Sequence, residues 1–236
     1  MQARLDVGAV VRRVFEIYVD QAPVLMPAAA VVFVISGIVS VLLIAIAPGL
    51  VIVAVIVSLV ANSLFTGMIV ELVADVQDGR RDGSVGQLLR AVTPVLGQLI
   101  LVAIVAGILT GIGFVLIIVP GLILLTIWSV AAPVVVLEHP GGLRALGRSR
   151  ELVRGNGWQV FGVVLVLFIL VAIVAGVIEV LAASAGTGVG IVARVIVGVL
   201  TAPLSSLAAA VLYFELSGSS PKDLDGTVER GVGPMA

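Results

Sequence analysis

The segment from Val119 to Gly162 reads VPGLILLTIWSVAAPVVVLEHPGGLRALGRSRELVRGNGWQVFG, and it decides the architecture of the chain. It begins with a long apolar run, leaves that run at Glu138, continues through an arginine-rich amphipathic stretch, and becomes apolar again at Trp158. This order is typical of a membrane-spanning helix, a helix at the membrane interface, and a second span. The rest of the chain repeats the same order in weaker form, which indicates an internal repeat.

The composition is that of an integral membrane protein. Of 236 residues, 61% are hydrophobic and 11% are charged, with a mean hydropathy of +1.30. Soluble domains are about 45–50% apolar and about 25% charged. The stretches 21–70 and 91–137 contain no Asp, Glu, Lys or Arg, and each is long enough for two spans of about 20 residues. The net charge of −1 gives no indication of an acidic or nucleic-acid partner, and no nucleic-acid partner is predicted. The lack of cysteine excludes disulfides and thiolate sites.

The pattern predicts an all-α, polytopic membrane protein with six transmembrane helices arranged as three hairpins. Each hairpin follows a cytoplasmic, interfacial amphipathic helix, the first of which covers residues 5–20. The second covers Ser84, as a predicted N-cap, to Leu96, and the third covers Gly141 to Arg154. Within a transmembrane domain of residues 1–216, the spans are predicted at 24–47, 50–74, 97–118, 122–137, 158–183 and 191–216.

Turn signals are predicted to separate the two spans of each hairpin, at Pro48-Gly49, at Val119-Pro120-Gly121 and at 186–190. With these turns the fourth span is short, and Pro133 is predicted to kink it. A polar loop is predicted at 75–83. Residues 217–236 are rich in Gly, Ser, Pro and charge, so they are predicted to form a disordered cytoplasmic tail.

Charge predicts the orientation in the membrane. Of the thirteen Lys and Arg residues, all but Arg194 lie in the N-terminal segment, the connections after spans 2 and 4, or the C-terminal tail. Because cytoplasmic loops carry an excess of basic residues, both termini and the two long loops are predicted to be cytoplasmic, in the cell membrane.

Four arginines, Arg144, Arg148, Arg150 and Arg154, form the densest basic cluster of the sequence. One interpretation is that they bind anionic phospholipid headgroups at the cytoplasmic leaflet. Another is that the cluster serves only to orient the protein. Glu151 is three residues from both Arg148 and Arg154, so part of the positive charge is predicted to be neutralised within the helix.

A glutamate stands near the predicted cytoplasmic end of each hairpin: Glu71 in IVELV, Glu138 in VVLEH and Glu215 in YFELS. These carboxylates are predicted to reach the interface or to pair with arginines of the amphipathic helices. The alternative is a ring of carboxylates at the cytoplasmic mouth of a central cavity.

Glu179 and Arg194 are the charges of spans 5 and 6 that lie away from the cytoplasmic ends. They are eight residues before and seven residues after Thr187, so an antiparallel hairpin brings them to nearly the same depth. Because a charge is costly in the bilayer, a structural ion pair is predicted. The alternatives are separate snorkelling to the outer interface and a solute-gating pair.

His139 is the only histidine, and a lone loop histidine is more often structural than catalytic or metal-binding. The sequence therefore predicts no catalytic residue, no metal site and no cofactor. Small residues at every fourth position, Ala103, Gly107 and Gly111 in span 3 and Ala202, Ser206 and Ala210 in span 6, predict close helix packing, within the protein or in a homo-oligomer.

Several motifs fall between Gly113 and Gly162, namely Pro120-Gly121, Trp128, the run 133–138 and the run 149–162. This pattern resembles the membrane domain attached to some bacterial glycerophosphodiester phosphodiesterases, and related stand-alone six-span proteins of unassigned function. The resemblance implies a membrane module. In the fused relatives the phosphodiesterase is a separate soluble barrel with its own histidine and carboxylate metal site, so no hydrolase activity is implied for residues of this chain.

Three functions are compatible with these features. The first is a non-enzymatic membrane module that binds or moves lipids or small amphiphiles, or supports a partner protein. The second is a transporter or channel for a polar solute, which the scarcity of charge inside the spans disfavours. The third is a membrane-embedded enzyme acting on lipid, for which the sequence offers no nucleophile or paired acid and base.

Overall fold

The spans predicted from hydropathy are present as helices. The computed structural model describes residues 5–77, 85–183 and 187–218, and each regular element in these ranges is helical. Six segments are long and apolar enough to cross a membrane: Ala22–Ile46, Val51–Gln77, Gly86–Leu116, Ile118–Glu138, Gly157–Ala182 and Val192–Ser217. The prediction of an all-α, polytopic protein with six spans is confirmed.

The helices are α1 (Val7–Asp20), α2 (Ala22–Ile46), α3 (Val51–Gln77), α4 (Val85–Val92), α5 (Leu96–Leu116), α6 (Ile118–Ile127), α7 (Ala131–Glu138), α8 (Gly142–Val153), α9 (Gly157–Ala183) and α10 (Thr187–Ser217). Short 3₁₀ turns at Pro48–Leu50 and Thr93–Val95 precede α3 and α5. Most of the predicted polar loop at 75–83, the predicted cap Ser84, part of the turn at 186–190 and the tail beyond 218 lie outside the described residues.

The buried core lies toward one end of the spans. It is built from the first parts of α2, α5 and α9, the last parts of α3 and α10, and α7, with apolar faces from α1, α4 and α8. Near the opposite end, the segments around Pro48–Leu50 and Ile117 expose large apolar side chains, as expected for a surface that faces lipid. The amphipathic helices therefore complete the packing at the end of the bundle that carries Glu138.

Helix α1, the predicted amphipathic helix, packs its apolar face against protein. Val10, Val14 and Ile17, spaced by one helical turn, are buried, and α1 contacts α2, α9 and α10. The hydroxyl of Tyr18 donates a hydrogen bond to the carbonyl of Leu200 in α10 at 3.0 Å. An amphipathic sequence pattern alone cannot distinguish protein from lipid on its apolar side, because both offer the same apolar contact.

The fourth span begins earlier than predicted. The chain turns at Ile117, which is extended, and α6 starts at Ile118, so Pro120 and Gly121 lie inside the helix. Proline is accepted in a first turn, where its missing N–H would have no helical partner. The span is therefore 21 residues long and not shortened. The α5–α6 hairpin is tight, since a Cβ added to Gly113 would lie 3.0 Å from the Cα of Gly121.

The same span is broken between α6 and α7, at residues 128–130, one turn before the predicted kink at Pro133. Proline has no N–H to donate to the carbonyl four residues earlier, which is that of Ser129, and its ring crowds that carbonyl. In a regular helix the amide of Ala131 would donate to the carbonyl of Ile127. Here it donates to the carbonyl of Trp128 at 3.1 Å, in a tighter turn. The break leaves the carbonyl of Ile127 without its usual donor.

The two predicted small-residue stripes differ in their packing. In α10, Ser206 is buried and its hydroxyl lies 3.2 Å from that of Thr66 in α3, while Ala210 is fully buried. In α5, Gly107 and Gly111 are exposed, and a Cβ added to either would meet no atom within 4 Å. The close packing predicted for span 3 occurs at Gly113 instead.

Candidate functional site

The side chain of Arg148 in α8 joins three helices. Its Nε donates to Glu138 at the end of α7, 2.9 Å from Oε2 and 3.3 Å from Oε1. The hydroxyl of Tyr213 in α10 donates to the Oε1 of Glu138 at 3.0 Å, and Tyr213 is fully buried. A further hydrogen bond runs from Nη1 of Arg148 to Glu151 at 3.4 Å. This arrangement is called the Glu138 network below.

The Glu138 network holds Arg148 in a structural role. Its hydrogen bond to Glu138 raises the pKa of the Arg148 guanidinium above its usual value, so the side chain stays charged. Two carboxylates already accept from this guanidinium. Of the four arginines predicted to bind headgroups, Arg148 is therefore the one whose charge is neutralised within the protein.

Arg150 and Arg154 line a pocket of about 610 Å³ at the end of α8. Its walls are completed by Ile127, Gly147, Glu151, Val153, Gly155 and Gly157. Gly155 has a φ of +97°, a conformation that favours glycine, and this turn lets α9 start directly beside Arg154. Arg144 is exposed on α8 and does not line this pocket.

An apolar groove of about 680 Å³ adjoins the arginine pocket and shares Ile127, Gly155 and Gly157 with it. The groove runs between α6 and α9. Its other lining residues are Val119, Leu122, Ile123, Thr126, Trp158, Gln159 and Phe161. Trp158 is 84% exposed and makes an edge-to-face contact with Phe161. The two hollows form a continuous surface with arginines at one end and apolar side chains along the rest, called the α6–α9 site below.

Ser149 anchors α8 to the broken span behind this site. Its hydroxyl donates to the carbonyl of Ile127 at 2.8 Å, and the residue is fully buried. This is the carbonyl that loses its helical donor at the break. The hydrogen bond therefore holds the end of α6 against α8, and it sets the position of Ile127 where the pocket and the groove meet.

The three glutamates predicted at the hairpin ends lie in different environments. Glu138 is in the network described above, with a side chain 19% exposed. Glu71 is half-buried in α3, and Glu215 is exposed on α10. Only the first of the three is brought against an arginine of an amphipathic helix in the described part of the chain.

The structure brings Glu179 of α9 and Arg194 of α10 together. The Nε of Arg194 lies 3.7 Å from the Oε1 of Glu179, and the two side chains are 78% and 59% exposed, respectively. Neither residue of the pair lines the α6–α9 site.

His139 ends α7 in the left-handed conformation, with a φ of 50°, before Pro140 and the turn at Gly141. Within residues 5–77, 85–183 and 187–218, no group of three His, Asp or Glu side chains is placed to hold a metal ion. The geometry around His139 is that of a helix end.

The sequence analysis missed two residues: Ser149, which supports the α6–α9 site, and Tyr213, which belongs to the Glu138 network. Ser149 lies on the apolar face of α8 with Ala145, Leu146 and Val153. A hydroxyl in that position is a signal for a buried hydrogen bond. Tyr213 lies within an apolar span, where its hydroxyl also requires a partner, but the sequence does not indicate that the partner is Glu138.

Part of the chain is similar to a UPF0259 membrane protein of Pectobacterium carotovorum, at 32% identity over 99 residues. The match covers 42% of this chain and 39% of that protein, so the chain spans well under half the length of the relative. No protein-family model and no solved structure matches the chain. These findings support distant homology to a membrane protein whose name states no activity.

Proposed function

We propose that this protein is a non-enzymatic membrane module that binds anionic phospholipid in the α6–α9 site. The headgroup phosphate lies between Arg150 and Arg154, and the acyl chains lie in the groove between α6 and α9. The observation that carries the proposal is the continuity of the arginine pocket with the apolar groove through Ile127, Gly155 and Gly157. An anionic phospholipid matches this arrangement, since it has a negatively charged phosphate at one end and hydrocarbon chains along the rest.

The charges at the mouth of the site favour an anion. Two arginines and one glutamate line the pocket, which leaves one net positive charge. The carboxylate of Glu151 is also hydrogen-bonded to Arg148, which reduces its repulsion of a phosphate. Guanidinium groups bind phosphate oxygens with two parallel hydrogen bonds, so two adjacent arginines suit a phosphodiester.

The position of Trp158 supports a site at the membrane surface. Tryptophan is enriched at the level of lipid headgroups, and this indole is largely exposed beside the groove. With the orientation predicted by the basic residues, both termini and the arginine end of the α6–α9 site are cytoplasmic. The cytoplasmic leaflet carries anionic lipid, and it attracts basic segments by about 1 kcal/mol per residue.

The resemblance of residues 113–162 to the membrane domains of glycerophosphodiester phosphodiesterases agrees with this proposal, since it implies a membrane module. The α6–α9 site is in the same segment. No hydrolysis is proposed for this chain.

The test is lipid-resolved native mass spectrometry of the purified protein exchanged into detergent with phosphatidylglycerol or phosphatidylcholine. Replacing both Arg150 and Arg154 with glutamine removes about 2 kcal/mol of attraction, so phosphatidylglycerol retention should fall about thirtyfold. Glu151→Gln should change retention in the opposite direction, because it removes the one negative charge of the pocket. Phosphatidylcholine retention should change least.

The matched control is the double variant Arg12→Gln and Arg13→Gln, which removes the same charge from an exposed face of α1. It should retain phosphatidylglycerol like the wild type. Equal losses in the two double variants would contradict a site and indicate general attraction between a basic protein surface and anionic lipid.

A further inference from the structure

Asn62 is a polar residue near the middle of span 2. In α3 it lies between Val51, where the helix begins, and Glu71, at about 16 Å from the first and about 14 Å from the second along the helix axis. The residue is exposed, and its amide makes no hydrogen bond to any residue of the described part of the chain. The stretch around it, residues 21–70, contains no charge. The amide is therefore in the hydrocarbon region without a partner.

An amide without a partner is unfavourable at this depth. The hydrocarbon core of a bilayer contains no water to bond to exposed polar groups, so each unsatisfied donor or acceptor costs free energy. Polar side chains within spans are accordingly often hydrogen-bonded to a neighbouring helix, and such bonds drive helices to associate. The position of Asn62 thus indicates a contact with a helix from outside this chain.

Asn62 ends a stripe of exposed residues along the first half of α3. The stripe consists of residues spaced by four, three and four: Val51, Val55, Ser58 and Asn62. This is the spacing of the a and d positions in a left-handed helix pair, with Asn62 at an a position. Of residues 51–62, all of which the structure describes, Ala54 is the one that is buried. Its carbonyl accepts from Ser40 of α2 at 3.5 Å, so α2 packs beside the stripe and leaves it exposed.

A second copy of the chain supplies the group that Asn62 lacks. Two copies insert in the membrane with the same orientation, so the two-fold axis of a dimer lies along the membrane normal. The same span from each copy then runs parallel to the other, and Asn62 meets Asn62 at the same depth. A primary amide has both a donor and an acceptor, so each Nδ2 can donate to the Oδ1 of the other copy. In parallel helix pairs a single asparagine at an a position specifies the register.

We infer that the stripe on α3 binds the same stripe of a second copy of this chain. The parallel pair is held in register by hydrogen bonds between the two Asn62 amides. Ser58, one turn before Asn62, is small and lets the two backbones approach closely. No residue of the stripe lines the α6–α9 site, so the dimer contact is independent of the proposed lipid site.

A matched pair of single cysteines in this cysteine-free chain tests the contact. Val55→Cys lies on the stripe. Ile56→Cys is the next residue, also at an exposed position, but it points about 100° away around the helix. Copper-phenanthroline oxidation in proteoliposomes should give a disulfide-linked dimer with Val55→Cys and little with Ile56→Cys. A disulfide requires the two Cα atoms to lie within about 7 Å, so equal cross-linking of the two variants would overturn the inference.

Variants of Asn62 test the hydrogen bonds, by energy transfer between fluorescently labelled copies in proteoliposomes over a range of protein-to-lipid ratios. Asn62→Leu should raise the protein density needed for half-dimerisation about tenfold. Asn62→Gln keeps a self-complementary amide and should dimerise like the wild type. The cysteine pair decides the matter if Asn62→Leu does not fold. A wild type that is monomeric at every density, or equal dimerisation of Asn62→Leu and the wild type, would overturn the inference and leave the proposal for the α6–α9 site standing.

Discussion

Replacing Tyr213 with phenylalanine removes one hydroxyl from the Glu138 network and leaves the buried ring in place. The hydroxyl donates to a carboxylate at 3.0 Å, from a residue that is fully buried. Hydrogen bonds to charged groups contribute about 1.5–3 kcal/mol. We therefore expect Tyr213→Phe to lower the free energy of unfolding by about 2 kcal/mol. For chains of this size that corresponds to a fall in Tm of about 4–8 °C.

Two comparisons make the expected value specific. Tyr18→Phe removes a hydroxyl that donates at the same distance, 3.0 Å, to the uncharged carbonyl of Leu200, so it should cost only about 0.5–1.5 kcal/mol. Arg148→Gln removes the other donor to Glu138, but the Arg148 side chain is 42% exposed. Solvent screening should hold that loss to about 1 kcal/mol or less.

The double variant Tyr213→Phe and Arg148→Gln probes the shared carboxylate. Each single variant leaves Glu138 with one donor in the network, and the double variant leaves it with neither. The combined loss should therefore exceed the sum of the two single losses. The assay is thermal unfolding of the purified variants in one detergent. A fall in Tm for Tyr213→Phe no larger than that for Tyr18→Phe, or additive losses in the double variant, would refute this reasoning.

Three further predictions concern other parts of the bundle. Glu179→Gln and Arg194→Gln should each lower the Tm in detergent, and their double variant should lose less than the sum; additive losses would mean that the 3.7 Å contact contributes nothing. Ser149→Ala should reduce the free energy of unfolding by about 1 kcal/mol, because it removes the fully buried hydroxyl that donates to the Ile127 carbonyl at the span-4 break. An unchanged Tm would contradict this role. This cysteine-free chain allows single cysteines to report the orientation. Gly49→Cys, on the side predicted to face outward, should react with a membrane-impermeant thiol reagent on intact cells, and Gly147→Cys, on the predicted cytoplasmic side, should not. The reverse pattern would invert the proposed orientation.

Part of the α6–α9 site could be predicted from sequence. Arg150 and Arg154 stand in a basic cluster next to a membrane exit, and that local density is enough to suggest an anion site. The groove that completes the site could not be predicted, because it depends on where α6 starts. The pattern Val119-Pro120-Gly121 indicated a turn, whereas the structure accommodates it in the first turn of a helix.

The choice among the arginines also required the three-dimensional arrangement. Arg148 differs from its neighbours only in the partners it reaches, one on α7 and one on its own helix. Tyr213, which completes this network, is 75 residues from Glu138 in sequence. Hydrogen bonds require donor and acceptor within about 3 Å, and no local pattern specifies such a distance between remote helices.

The sequence by itself determined that the chain is helical, membrane-embedded and six-spanning. These properties follow from the hydropathy summed over about 20 neighbouring residues, since an apolar helix is stable in a bilayer whatever it packs against. Only the tertiary structure decided that α1 packs against protein, that span 4 breaks before Pro133, and that Asn62 is exposed within span 2. Lipid contacts apolar side chains as well as protein does, so the bilayer favours no single arrangement of the helices. Steric fit and a few hydrogen bonds between remote residues select it.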